Sequence, residues 1–153
     1  KIGEFGLDGF VSFTGALKPE EVRAKMNEAS IFIFNSDRYE GWGAVVNEAM
    51  NSGCAVLVSH VCGAAPFLVK QNENGRVYEY GNMTEFCKFL ADYLVHPDLV
   101  QAYSTMIDIW NIEIAVPRFL TMVRALMSNE DIPFIAEGPC SKAQDINTSW
   151  YES

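Results

Sequence analysis

The sequence predicts an α/β fold in which a parallel sheet is wound by crossover helices, with further helices following toward the carboxyl end. Three observations carry that expectation. Ile31-Phe32-Ile33-Phe34 and Ala55-Val56-Leu57-Val58 are continuous apolar runs, the pattern of strands buried on both faces. Stretches of helical period separate them, and glycine or proline marks the joins. Strands that alternate with helices in this way build parallel sheets with crossover connections.

The elements follow in order. Lys1 to Gly6 reads as the tail of a helix, with Phe5-Gly6-Leu7 as a glycine-closed end. Val11-Ser12-Phe13-Thr14 alternates and predicts a strand, closed by Gly15. Pro19-Glu20-Glu21 opens a helix, because proline suits the first turn and acids suit its positive end. Val22, Met26 and Ala29 give that helix an apolar stripe. After Ile31–Phe34 a loop spans Asn35 to Trp42, and Ala44 to Asn51 is helical, ended by Gly53. After Ala55–Val58, the stretch His60 to Asn74 is loop with one short helix at Ala65 to Val69. Arg76-Val77-Tyr78 is a brief strand. Helices are expected over Met83 to Val95, Asp98 to Asn111 and Ile114 to Met127, with Pro117 near the start of the last. Residues 1–127 then form one folded unit. Residues 128–153, with Pro133, Gly138 and Pro139, read as an extended or disordered arm.

Composition narrows the partners. The formal net charge is -9, and no basic face is visible, so nucleic acid is not expected to bind. A small phosphate ligand stays open, because backbone amides hold phosphate without net positive charge. No apolar run approaches the ~18 residues of a membrane span, and Lys1-Ile2-Gly3-Glu4-Phe5-Gly6 has no secretory pattern. Cys54, Cys62, Cys87 and Cys140 lack the spacing of a zinc site; they read as reduced thiols of a cytosolic protein, and no metal is expected.

Ligands of open parallel sheets bind beyond the carboxyl ends of the strands. Two loops sit there. In Asn35-Ser36-Asp37-Arg38-Tyr39-Glu40-Gly41-Trp42-Gly43, the glycines let backbone approach a ligand. The free amides of Gly43, Ala44 and Val45 would face that ligand from a helix N-terminus. Glu48, a little over one turn on, can accept hydrogen bonds from sugar hydroxyls. Taken singly, each sign has a plain alternative: Gly-x-Gly is weak, Glu48 suits a solvated helix face, and Trp42 suits a core. The second loop is Ser59-His60-Val61-Cys62-Gly63-Ala64-Ala65-Pro66, in which His60 stands at the binding edge.

The whole segment Glu40-Gly41-Trp42-Gly43-Ala44-Val45-Val46-Asn47-Glu48-Ala49-Met50-Asn51-Ser52-Gly53-Cys54-Ala55-Val56 is more specific. It resembles the donor-site signature of family-4 (group 1) retaining glycosyltransferases: two glutamates with seven residues between, then Ala-Met, a small residue, glycine and a buried strand. Phe13-Thr14-Gly15, Met26 to Phe34 and Asn74-Gly75 resemble further landmarks in the same order, and the likeness spans roughly residues 5 to 127.

The resemblance implies the carboxyl-terminal Rossmann-like domain of a GT-B fold, present in part. It implies that Glu48 binds the ribose of a nucleotide-diphosphate sugar and that Gly43, Ala44 and Val45 hold the diphosphate, with Gly41 and Trp42 beside it. Glu40 would orient the transferred sugar, so Glu40 and Glu48 are the expected catalytic residues. Ala16 and Leu17 would flank the base. Such transfer retains configuration and needs no metal or further cofactor; protein dipoles stabilise the leaving diphosphate. The implied partners are a nucleotide-sugar donor of unnamed base and a glycan or lipid-linked acceptor. The acceptor domain, the first strands and the basic phosphate ligands would lie upstream of Lys1. The chain alone is therefore expected to be inactive and to self-associate through uncovered edges; the expected setting is the cytoplasm, with the full-length protein peripheral at the inner face of the membrane.

Two positions depart from the family pattern: a second glycine is replaced by Cys62, and the acid of a Pro-Glu pair by Phe67. They motivate the alternative of a degenerate nucleotide-binding or interaction module. Arg38 reads as either a phosphate contact or an exposed loop residue.

Overall fold

The computed structural model describes residues 1–37, 39–96, 98 and 106–141. Its elements are α1 (Pro19–Glu28), β1 (Ile31–Phe34), α2 (Ala44–Asn51), β2 (Ala55–Ser59), α3 (Ala65–Leu68), β3 (Gly75–Tyr78), α4 (Met83–Val95), α5 (Met106–Ile109) and α6 (Ile112–Ser128). A 3-10 turn at Gly3–Phe5 precedes them, closed by Gly6 in the left-handed region, φ 65°. The sheet has the order β1-β2-β3, all parallel, with Ile31 opposite Ala55 and Val56 opposite Gly75. This is the expected Rossmann-like α/β arrangement.

β2 lies in the middle and is buried along its whole length. Its side chains alternate between two cores, as strand geometry demands. Val56 and Val58 pack with Met26, Val46, Ala49, Met50 and Leu68 on the face covered by α1, α2 and α3. Ala55 and Leu57 join Tyr78, Tyr93, Phe86 and Phe89 under α4 on the opposite face. A continuous apolar run is therefore what a strand with two covered faces needs.

Several expectations change. Val11–Thr14 forms no strand, and Phe13 is 86% exposed. Alternation can mark a strand, but a strand exists only with a hydrogen-bonded neighbour, and among the described residues none pairs with this segment. Ala29 leaves the α1 stripe; it is the exposed, extended residue that ends the helix. Within the expected Asp98–Asn111 helix, Met106–Ile109 is helical and residues 99–105 lie outside the described set. α6 begins two residues earlier than expected because the Asn111 side chain accepts from Ile114 N–H at 2.9 Å, an N-cap. Pro117 is accommodated inside it. Among the described residues no helix is long and apolar enough to cross a membrane.

Residues 129–141 carry no helix or strand beyond turns and bends, but they are tied down. Arg118 donates to the carbonyls of Glu137 (2.6 Å) and Pro139 (3.2 Å), and Lys70 pairs with Glu137 at 2.8 Å. Gly138 is buried against Ile109 and Arg118.

On the α4 face, Arg76 pairs with Asp92 at 2.6 Å while lying over the rings of Phe89 and Tyr93. The hydrogen bond from Arg76 holds the Asp92 carboxyl below its ordinary range; burial opposes it, and the charges of Arg76, Lys88 and His96 add to the lowering. A depressed carboxyl pKa stabilises the fold above the unfolded value of about 3.9, and that contribution is lost as pH falls through the folded value. Urea unfolding should therefore show a falling midpoint toward acid, with part of the slope absent in Arg76→Met. Identical acid slopes in the two proteins would refute the linkage.

Candidate functional site

The loop after β1 and the loop after β2 both leave the carboxyl end of the sheet, and backbone hydrogen bonds join them. Gly63 N–H donates to Gly41 O at 3.0 Å and Ala64 N–H to Trp42 O at 2.8 Å. The approach is so close that a Cβ on Gly63 would lie 2.5 Å from Gly41 O. The Cys62 thiol donates to Trp42 O at 3.2 Å. Burial pushes the Cys62 thiol pKa up; the backbone amides of Ala64 and Ala65 oppose this, and the Glu40 charge adds to the rise. Glu40 thus acts electrically on the junction of the two loops, from a half-buried position. The Tyr78 hydroxyl donates to Asn35 Oδ1 at 2.6 Å and ties the ends of the two outer strands across β2.

The N-terminus of α2 is open. Gly43 occupies the N-cap position with φ 78° and ψ 55°, no side chain caps the helix, and its first turn has no acid. Val46 N–H bonds to Gly43 O. The amides of Ala44 and Val45 belong to the first turn, which a helix cannot satisfy internally. The positive end of the helix dipole lies there as well.

α1 and α2 run side by side with a groove of about 650 Å³ between them. Leu17, Val45 and Glu48 line it together, although Leu17 comes from a segment far from the other two in sequence. Glu48 is exposed to the groove. Glu40, Gly41, Trp42, Gly43, Ala44 and Ala16 are not among its lining residues. Glu40 to Gly43 build the loop junction beside the groove, and exposed Ala16 precedes Leu17. Arg38 lies outside the described residues.

Several features escaped the sequence reading. Phe67 stands in an aromatic trio: its ring centroid is 5.3 Å from Trp42 and 5.9 Å from Trp110, and the two tryptophans are 6.0 Å apart. Trp42 is 41% exposed, so it is neither core nor free surface. His60 is buried, and its Nδ1 accepts from Tyr80 N–H at 2.8 Å, a bond that fastens the end of β2 to the end of β3. The four cysteines, read from the sequence as reduced thiols, are free in the structure; Cys54 and Cys62 are buried, Cys87 and Cys140 exposed.

A parallel α/β sheet with an uncapped helix N-terminus at its carboxyl edge is the architecture of the Rossmann-like class. The family model of glycosyl transferases group 1 matches residues 1–106. The chain belongs to that family. No curated protein matches it. Among solved structures, it is similar to the C-terminal domain of the glycosyl transferase group 1 family protein LpcC from Francisella tularensis. The TM-score is 0.58 and the identity 24%, over 70% of this chain and 56% of that one. That likeness speaks for the fold, and the chain spans little more than half the length of its relative.

Proposed function

We propose that this chain forms the donor side of a retaining glycosyltransferase and binds a nucleotide-diphosphate sugar. In this reading Glu48 accepts hydrogen bonds from the ribose diol, and the amides of Gly43, Ala44 and Val45 hold the diphosphate. Gly41 and Trp42 shape the approach. Leu17 and Ala16 lie toward the base, and Glu40 orients the transferred sugar. The observation that carries the proposal is the common groove: Leu17, Val45 and Glu48 line it, and Val45 belongs to the uncapped first turn of α2. A hydroxyl-accepting carboxylate beside an open helix N-terminus matches a ribose joined to phosphate.

Turnover would need an acceptor site, which in this family resemblance belongs to a further domain. The chain alone is therefore expected to bind donor without transferring sugar. The acceptor would be a glycan or lipid-linked sugar, the transferred unit a hexose, and the setting polysaccharide assembly in the cytoplasm or at the membrane's inner face. The chain is also expected to self-associate through the open edge of β1.

A second reading, a domain that keeps the fold but has lost turnover, is favoured by Phe67. At this position the family pattern has an acid, and here the ring packs against Trp42 and Trp110. Saturation-transfer NMR with uridine, guanosine and adenosine diphosphate sugars tests the first reading. Transfer to the ribose protons of at least one donor is expected. Silence across the panel would remove the donor assignment and favour the degenerate module.

A further inference from the structure

Besides Leu17, Val45 and Glu48, the groove between α1 and α2 is lined by side chains that have no part in the donor reading. Its floor is apolar: Val22 and Met26 of α1 lie across from Val45 of α2. Beside them α1 carries a second stripe, Arg23 and Asn27, four residues apart and so on one side of the helix. α2 answers with Asn51, one turn beyond Glu48. Glu48 offers only acceptors, Arg23 only donors, and the two carboxamides offer both. Among the described residues no ion pair joins Arg23 to a carboxylate.

An apolar floor with a rim of mixed donors and acceptors suits a flat ligand whose faces are apolar and whose edge carries hydrogen-bonding groups. We propose that this part of the groove reads the nucleobase and that Arg23 selects a keto base, uracil or guanine, over adenine. The inference rests on the nucleotide reading above: with the ribose fixed at Glu48, the base follows along the groove onto Val22 and Met26. A carboxamide such as Asn27 can pair with either kind of base edge, so it orients the base without choosing it. Arg23 chooses, because a guanidinium presents donors only. It bonds the carbonyl of uracil or guanine and is mismatched with the exocyclic amine of adenine.

Equilibrium dialysis of this chain with UDP, GDP and ADP tests the proposal, using the wild type, Arg23→Met and Glu48→Ala. Arg23 is exposed, so its replacement should leave the fold intact. UDP or GDP should bind at least about tenfold tighter than ADP, the size of one lost charged hydrogen bond. Arg23→Met should erase that preference by weakening the keto nucleotide alone, and the stronger of UDP and GDP names the base. Equal binding of ADP would overturn the base assignment. So would an unchanged preference in Arg23→Met. In both cases loss of binding in Glu48→Ala would leave the donor reading standing. Binding of none of the three nucleotides would overturn both.

Discussion

Gly43→Ala should destabilise the chain by about 2–4 kcal/mol, from left-handed strain and overpacking together. Gly43 sits at φ 78°, where a side chain is strained. A Cβ there would also lie 2.6 Å from Cys62 Sγ and 2.9 Å from Phe34 Cε1. The two penalties share no escape: turning φ negative would rotate the first turn of α2 and pull the loop from its bonds to Gly63 and Ala64. The melting temperature followed by circular dichroism should drop by roughly 10 °C. A melt within a degree or two of wild type would show that the junction gives way freely.

Glu48→Ala should have the opposite profile. Glu48 is exposed, so stability should stay within about 0.5 kcal/mol. Under the donor reading its carboxylate accepts from two hydroxyls, and hydrogen bonds to charged groups contribute about 1.5–3 kcal/mol each. Affinity for the nucleotide should therefore fall at least tenfold, measured by titration calorimetry. Glu48→Gln keeps the shape and one acceptor oxygen but loses the charge, so it should retain part of the binding. Full affinity in Glu48→Ala would remove Glu48 from the ribose and leave the groove without its proposed anchor.

The fold was legible where one local pattern had one physical cause. Ala55–Val58 is an uninterrupted apolar run because cores cover both of its faces; Ile31–Phe34 has the same pattern but lies at the sheet edge, with Ile33 40% exposed, so the run located the strand and overstated its burial. Pro19-Glu20-Glu21 marked a helix start because it satisfies the first turn locally. Val11–Thr14 misled because alternation reports a face, whereas a strand requires a partner that local sequence cannot supply.

The site divides the same way. The spacing of Glu40 and Glu48 could be read along the chain. The bonds of Gly63 and Ala64 to the Gly41–Trp42 backbone could not, nor could the meeting of Trp42, Phe67 and Trp110. These depend on how separate loops arrive at one edge. Phe67 read as a missing acid; in place it is a packing residue with two aromatic partners. Cys62 read as a lost glycine; in place its thiol fills the space beside Gly43.

The all-parallel order β1-β2-β3 has a consequence for how the chain acquires its shape. Ile31 meets Ala55 and Val56 meets Gly75, so each pairing must close a loop of about twenty residues before any sheet bond forms. No hairpin can serve as a quick nucleus, and assembly must wait on non-local encounters, which are slow. During that wait the segment Ala55–Ser59, the most deeply buried strand of the finished sheet, is a sticky ribbon. α1, α2 and α4 therefore act as shields as well as scaffolding, and their prompt arrival decides between folding and aggregation.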